Sequence, residues 1–355
     1  MTMPTSSDQT GQAAFYPSGW FVMCLASDLK PKTVLTLPFM GSEWVLYRTV
    51  SGAVRLVEPY CPHLGAHLGR GGRVEGENIV CPFHHFAFAA DGQCVHTPSG
   101  IKPPNARLIG RSVQEWNGLI LVWQGSGDQH TPWKLPELDL DGFCAPVRGR
   151  YQARGTLQNI TENAVDLNHF APIHGWMKAL MQPPVAEGHQ LNVRFTMEVL
   201  GLAVQMDIKL YGLGIMVAQM TQKRLGLHIQ LMMTPTQIGP QQWALKDFMV
   251  LRVARFSGLP RWLGNALNAV LARAAYRFWF VPELKKDIQI WDHRNYDVRP
   301  KLTVNEGPIM VYRHWAAQFY PAYAFAPEQQ AATDSLRQNN LSATTVGWSI
   351  AQDNQ

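Results

Sequence analysis

The chain has 355 residues and a formal net charge of +5, with 46% hydrophobic and only 16% charged residues, which is enough for one large or two ordinary domains with a substantial core. Its 31 basic residues form no long run of the kind that tracks phosphates, so nucleic acid is not an expected partner. The most apolar long stretch, Leu263 to Val281, is interrupted by Asn265, Asn268, Arg273 and Arg277, and no transmembrane segment is expected.

The first residues are polar, without a basic region followed by an apolar one, and predict no signal peptide, a flexible N-terminus over 1–15 and a cytoplasmic protein. From residue 16 to 124 the text is strand-like. Short runs such as Thr33 to Leu37, Glu43 to Val50 and Val54 to Val57 are separated by Gly, Pro and Ser, and Gly118 to Trp123 closes the section as a buried strand. The polar, Gly- and Pro-rich stretch after it marks a domain boundary. Residues 125–325 form the second domain, with a helix predicted around Thr161 to Phe170, β-like stretches from Leu191 to Phe256, and helix again from about Pro260 to Tyr296. Helices gathered at the ends of an antiparallel sheet predict the α+β class. Residues 326–355 are too polar to pack and read as a flexible tail.

The first chemical signal is Cys61-x-His63, a gap of seventeen residues, then Cys81-x2-His84. Replacing two thiolates by imidazoles on one iron defines the Rieske [2Fe-2S] centre. Two loops that each supply one Cys and one His suit it: Cys61 and Cys81 would hold one iron, His63 and His84 the other. Pro62 and Pro82 stiffen the loops. A structural zinc site is the alternative, but those sites pair Cys with Cys and His with His. His67 and His85 read as surface or hydrogen-bonding histidines. The five cysteines are an odd number without export signals, which argues against a disulfide framework, and Cys24, Cys94 and Cys144 read as buried apolar thiols.

The second signal is the segment from Glu162 to His174. Asp166 and His169 lie three residues apart, on one face of the predicted helix, and Pro172 breaks that helix so that the chain can aim His174 back toward His169. Two imidazoles and a carboxylate make the 2-His-1-carboxylate iron site, which leaves positions open for dioxygen. The carboxylate must come from elsewhere. In VPELKKDIQIWDH, Leu284, Ile288 and Trp291 form an apolar stripe, and Asp287 falls inside it, where an acid is costly unless paired or bound to metal. The alternative for Asp287 is an ion pair with Lys285, Lys286 or Arg294. Glu283 and Asp292 read as solvated positions, and Asn163 joins Asp166 as a catalytic candidate.

With these motifs in place, the sequence resembles the oxygenase component of Rieske non-haem iron oxygenases from about Tyr16 to Tyr320. KKDIQIWDH and the downstream RHWAAQFY are similar to the steroid-acting branch of ketosteroid 9α-hydroxylases and sterol 7-desaturases. The resemblance implies a β-rich Rieske domain beside a helix-grip catalytic domain, Cys61, His63, Cys81 and His84 as cluster ligands, and His169, His174 and Asp287 on a mononuclear Fe(II). It makes Asp166 the electron-transfer bridge to a neighbour's His84 in a head-to-tail homotrimer. The second loop departs from many relatives, which carry a small or acidic residue and then Trp where this chain has His85-Phe86.

The expected activity is O2-dependent hydroxylation of a steroid-like or other polycyclic hydrophobic substrate. Desaturation or oxidative demethylation, or a non-steroid substrate, is the alternative, and a plain Rieske electron carrier is the rival from another class. No G-x-G-x-x-G fingerprint or plant-type ferredoxin motif occurs, so NAD(P)H, FAD and ferredoxin belong to a separate reductase. Met206, Met216, Met220, Met232, Met233 and Met249, with Trp243 and Phe248, would suit a large apolar ligand or simply fill a core. The basic, amphipathic stretch Leu259 to Phe280 reads as a bundle helix, with contact to a membrane surface as the alternative.

Overall fold

The computed structural model describes residues 16–98, 100–125, 131–296, 299–320 and 348–349. The flexible termini expected over 1–15 and 326–355 lie outside these, apart from the short strand Trp348–Ser349. The chain divides into two compact units, Ser18–Lys134 with Thr236–Pro240, and Leu135–Pro235 with the residues from Gln241 on.

The first unit is built from three small antiparallel sheets. Gly19–Leu25, Leu119–Gln124 and Val113–Trp116 form one, Val34–Phe39, Ser42–Arg48, Val54–Val57 and Gly110–Arg111 a second, and Arg73–Glu75, Asn78–Val80, Ala87–Phe88 and Cys94–His96 the third. The strands are short because Gly and Pro recur between them. Cys61 and Cys81 belong to the core of this unit, packed with Val45, Tyr47, Leu68, Ile79 and Phe88.

The second unit centres on an antiparallel sheet in the order Val147–Arg154, Gln242–Val253, Leu227–Gly239, Ile215–Gln222, Leu202–Tyr211, Gln190–Val199, Met177–Met181. Side chains alternate along each strand, so one set of apolar residues aligns across neighbours on a single face. Phe195 pairs with Met206 and Met206 with Met220; Ile208 pairs with Ala218 and Ala218 with Leu231; Met216 pairs with Met233. Met232 points the other way, and Trp243 and Met249 are sealed in the core.

Four helices accompany the sheet: α1 (Leu157–Thr161), α2 (Arg261–Ala275), α3 (Val281–Trp291) and α4 (Gly307–Ala317). Gly264, Asn268 and Ala272 recur every four residues as the buried side of α2, and Tyr276 continues it into the turn that follows. A Cβ on Gly264 would stand 2.8 Å from the Phe256 carbonyl oxygen, so glycine permits the close approach. The chain passes from α2 to α3 through a wide helical turn over Tyr276–Phe280. Pro282 gives the reason: it has no N–H to donate and its ring crowds the carbonyl four residues earlier, and a wider turn makes room. An α+β catalytic unit of a large antiparallel sheet and few helices, after a β-rich unit, is the class expected.

Candidate metal centres

The two Cys/His loops are the same turn used twice. The Cys61 N–H donates to the Ala66 carbonyl at 2.9 Å and the Gly65 N–H to the Cys61 carbonyl at 2.9 Å. Cys81 N–H donates to the Phe86 carbonyl at 2.9 Å, and His85 N–H to the Cys81 carbonyl at 3.2 Å. The fifth residue of each turn is left-handed, Gly65 at φ 75° and His85 at φ 55°. His85 is exposed, whereas its neighbour His84 is half-buried.

The turns bury both thiols and leave His63 exposed and His84 half-buried. The imidazoles meet edge to face with ring centroids 4.7 Å apart, and Phe86 stacks on His63 at 4.4 Å. Burial pushes the Cys61 thiol up to about 11, and the adjoining Cys81 thiol adds to the rise. A bound cation would offset that cost, because it favours the thiolate that ligation requires. Two juxtaposed buried thiols with two juxtaposed imidazoles at the rim therefore fit a Rieske cluster, one iron on sulfur and one on nitrogen. His67 lies outside this set, 3.2 Å from Glu43 through Nε2 and accepting the Gly69 N–H through Nδ1 at 3.1 Å.

In the second unit the helix expected over Thr161 to Phe170 is not continuous. α1 ends at Thr161, a tight turn covers Glu162–Ala164, and the chain runs irregularly to a wide turn over Phe170–His174 that contains Pro172. Gly175, left-handed at φ 67°, ends it. A wide turn brings the two histidines together better than a broken α-helix would. Residues five apart diverge on an α-helix, whereas a turn closed between residues five apart brings them to the same side. His169 and His174 have ring centroids 5.2 Å apart.

α3 supplies the acid. One ligand atom from each of His169, His174 and Asp287 lies within 4.8 Å of the others, the one such group of His, Cys, Asp or Glu found among the described residues. The imidazoles are oriented alike. His174 turns Nε2 to Asp287, at 3.2 Å, and Nδ1 to Glu283, at 2.7 Å. His169 turns Nδ1 toward Asp166, at 3.6 Å, and Nε2 toward the Asn163 amide, at 3.2 Å; Asn163 also donates to Asp287 at 3.4 Å. Both rings thus keep Nε2 for the centre and an acid behind Nδ1, the outer-shell arrangement that fixes a metal-bound histidine.

The charges agree. Burial would lower the His174 pKa, but Asp287 and Glu283 more than offset it and raise it above the ordinary value. Burial pushes Glu283 and Asp166 up, yet their histidines and further donors (Lys286 to Glu283, the Asn168 N–H to Asp166) hold both carboxyls below the usual range. A cluster of acids poised around two imidazoles fits a divalent cation. Asp287 does not pair with the nearby cations: Lys286 serves Glu283 and Arg294 serves Glu162.

Two expectations are corrected. Glu283 is not simply solvated; it stands behind His174, and its position four residues before Asp287 on α3 was the available clue. Asp292 accepts the Arg154 N–H at 2.6 Å. Glu162, 1% exposed, was not anticipated: Arg294, Arg313 and Tyr296 all converge on it.

A cavity opens from this triad onto the aligned face of the sheet, walled by Phe195, Met206, Met216, Met220 and Met233 and by Trp279 of the wide turn. Its polar groups, Asn163, His169, His174, Glu283 and Asp287, all belong to the triad and its immediate partners.

A Cys/His-looped β-rich unit followed by a two-histidine, one-carboxylate site on a helix-covered antiparallel sheet defines the class of Rieske-type iron oxygenases. Residues 19–107 match the Rieske [2Fe-2S] domain and residues 122–320 the 3-ketosteroid 9alpha-hydroxylase C-terminal domain, and the chain belongs to the Rieske non-haem iron oxygenase family that combines them. It is similar to cholesterol 7-desaturase nvd of Drosophila melanogaster, 26% identical over 94% of this chain and 79% of that protein. It is also similar to the 3-ketosteroid-9-alpha-monooxygenase oxygenase component of Rhodococcus rhodochrous, 25% identical over 86% of this chain and 84% of that one. The fold matches dicamba monooxygenase bound to dicamba, with a TM-score of 0.67 at 18% identity over 86% of this chain and 98% of that structure. It also matches a Pseudomonas putida CBB5 NdmA mutant, with a TM-score of 0.65 at 15% identity over 88% and 93%.

The protein is thus an oxidoreductase, an oxygenase component working with a Rieske [2Fe-2S] cluster, a non-haem iron, O2 and electrons from a separate reductase. The electron-carrier reading falls with the match of residues 122–320 to an oxygenase catalytic domain. Among the described residues no helix is long and apolar enough to cross a membrane.

Proposed function

We propose that this chain hydroxylates a steroid-like substrate, with Cys61, His63, Cys81 and His84 holding the cluster and His169, His174 and Asp287 holding the iron. The observation that carries the substrate reading is the methionine-walled cavity beside the triad. Polar groups gather at its iron end and the rest is apolar, which suits a skeleton recognised by shape and oriented from one end. The cavity volume is about 120 Å3, less than a four-ring skeleton fills. Four methionines line it, and their three rotatable bonds let the wall reshape around a ligand.

When bound, the iron supplies dioxygen activation for attack on a C–H bond. The residues of the chain do the rest. Glu283 sets the His174 imidazole, Asp166 faces His169 Nδ1 at 3.6 Å, Asn163 bridges His169 and Asp287, and Trp176 and Phe170 pack on the histidine rings to keep water out. Asp166, 26% exposed at its side chain, is accessible enough to meet a second chain. That supports its role as the bridge to His84 of a neighbour in a homotrimer, whose ring closure gives each iron one cluster. Free thiols throughout and dependence on a nicotinamide-driven reductase favour a reducing compartment, the cytoplasm.

Desaturation is the second reading, favoured by the similarity to cholesterol 7-desaturase over 94% of the chain. Incubation of the reductase-coupled protein with a panel of sterols and ketosteroids separates the two by mass: gain of one oxygen for hydroxylation, loss of two hydrogens for desaturation. Absence of turnover on every steroid would remove the substrate assignment.

A further inference from the structure

We propose that the outer face of α2 and the wide turn after it is a docking surface for an anionic phospholipid bilayer, through which the enzyme draws an apolar substrate. The inference deepens the steroid reading and rests on it for the substrate, though not for the binding itself.

Away from Gly264, Asn268 and Ala272, several large apolar side chains of α2 and of the turn after it are uncovered. Trp262 is 72% exposed, Phe278 77%, and Leu267, Val270 and Leu271 are exposed between them. Uncovered large aromatic and aliphatic side chains interleaved with arginines are what an interfacial helix places at the headgroup boundary.

The charges select the kind of surface. From Phe248 to Pro282 there are five arginines, at 252, 255, 261, 273 and 277, and no Asp, Glu or Lys. This stretch carries +5, as much as the formal net charge of the whole chain. Arg255, Arg261, Arg273 and Arg277 are exposed, and the Arg277 guanidinium lies 5.8 Å from the centre of the Phe278 ring. An arginine that shares its stem with an inserted ring while its head stays polar is suited to an acidic lipid headgroup.

A second copy of the chain fits less well. Two copies meeting through this face would set arginines against arginines. The position also suits delivery: the wide turn carries Phe278 outward and Trp279 and Phe280 into the cavity wall, one residue apart.

The test is flotation of the full-length holoprotein with vesicles of phosphatidylcholine alone or with about a third phosphatidylglycerol. Partition onto the anionic vesicles is expected to exceed that onto neutral ones by about tenfold or more and to fall at about 0.5 M NaCl. Trp262→Ser with Phe278→Ser should lose the binding with iron content unchanged, since both side chains are already in solvent. It should turn over a sterol delivered on cyclodextrin normally and one dissolved in vesicles poorly. Equal partition onto the two vesicle types, or an unaltered double variant, overturns the proposal. So does a changed oligomeric state in that variant, which would assign the face to a second copy, or slower reduction by the ferredoxin, which would assign it to the redox partner. Absence of turnover from both sterol sources, with vesicle binding intact, rejects the steroid reading and leaves the docking surface standing.

Discussion

Glu283 stands 2.7 Å from His174 Nδ1 on the side of the ring opposite Asp287, so one turn of α3 grips both nitrogens of a single imidazole. A metal-bound histidine whose far nitrogen meets a carboxylate is held in one tautomer and orientation and is a stronger donor. Glu283→Gln keeps the shape and removes the charge. Iron affinity is expected to fall about 10- to 100-fold, read as iron retained after dialysis against a graded chelator, with the cluster spectrum unchanged.

The pH dependence gives that variant a signature a mere structural role would lack. In the apoprotein the two acids raise the His174 pKa, so a proton competes with iron up to a higher pH than at an ordinary histidine. Iron affinity should rise with pH until that pKa is passed. Glu283→Gln removes one of the raising charges, and the midpoint of the iron-loading profile should move to lower pH even as the affinity drops.

Asp166 makes a separable prediction. Its Oδ1 accepts the Asn168 N–H at 3.0 Å and its Oδ2 stands 3.6 Å from His169, so it orients a proposed ligand without being one. Reconstituted with excess iron, Asp166→Asn should hold three irons per chain. Reoxidation of the reduced cluster in the presence of O2 and substrate should slow by about 10- to 100-fold even at full iron loading. Reoxidation at the parent rate would remove the bridge from the mechanism.

How far the sequence foretold these sites depended on distance along the chain. The cluster motif was legible because each loop packs a Cys and a His within four residues, and a turn of that length has few shapes. Asp287 stood out as an acid among Leu284, Ile288 and Trp291. The course of the chain between His169 and His174 was not legible, because the local pattern reads as α-helix and a wide turn has no composition of its own. Glu162 could not be read at all, since its partners Arg294 and Arg313 lie 132 and 151 residues away and only the fold brings them to one buried carboxylate.

His85 occupies the place in the second loop that Gly65 occupies in the first, and it pays conformational energy there as a non-glycine residue at positive φ. His85→Gly and His85→Asn should leave cluster loading and stability within about 1 kcal/mol of the parent, because both tolerate the left-handed region. A β-branched residue does not, and His85→Val should destabilise the first unit by about 1–3 kcal/mol and weaken cluster retention. Thermal unfolding followed at the cluster absorption band checks the order. Equal stability of the valine and glycine variants would mean that the loop relaxes out of this turn.

Asp247 is fully buried on the sheet strand Gln242–Val253, accepting a hydrogen bond from the Tyr276 hydroxyl at 3.1 Å, with the Tyr151 hydroxyl 3.3 Å further on. Burial drives its pKa up to about 6, while Tyr276 and the backbone amides of Asp247 and Gly149 limit the rise. Because the folded-state value lies above the ordinary 3.8, the folded protein binds more protons than the unfolded chain between about pH 4 and 6. Stability therefore falls as pH rises through that window and levels off above it. Asp247→Asn preserves an acceptor for Tyr276 and abolishes the ionisation. Relative to the parent it should gain up to about 3 kcal/mol between pH 4 and pH 7.5. Denaturant unfolding of both proteins at the two pH values decides it: a stability difference that does not change between pH 4 and pH 7.5 would mean that burial does not hold this carboxyl above its ordinary value.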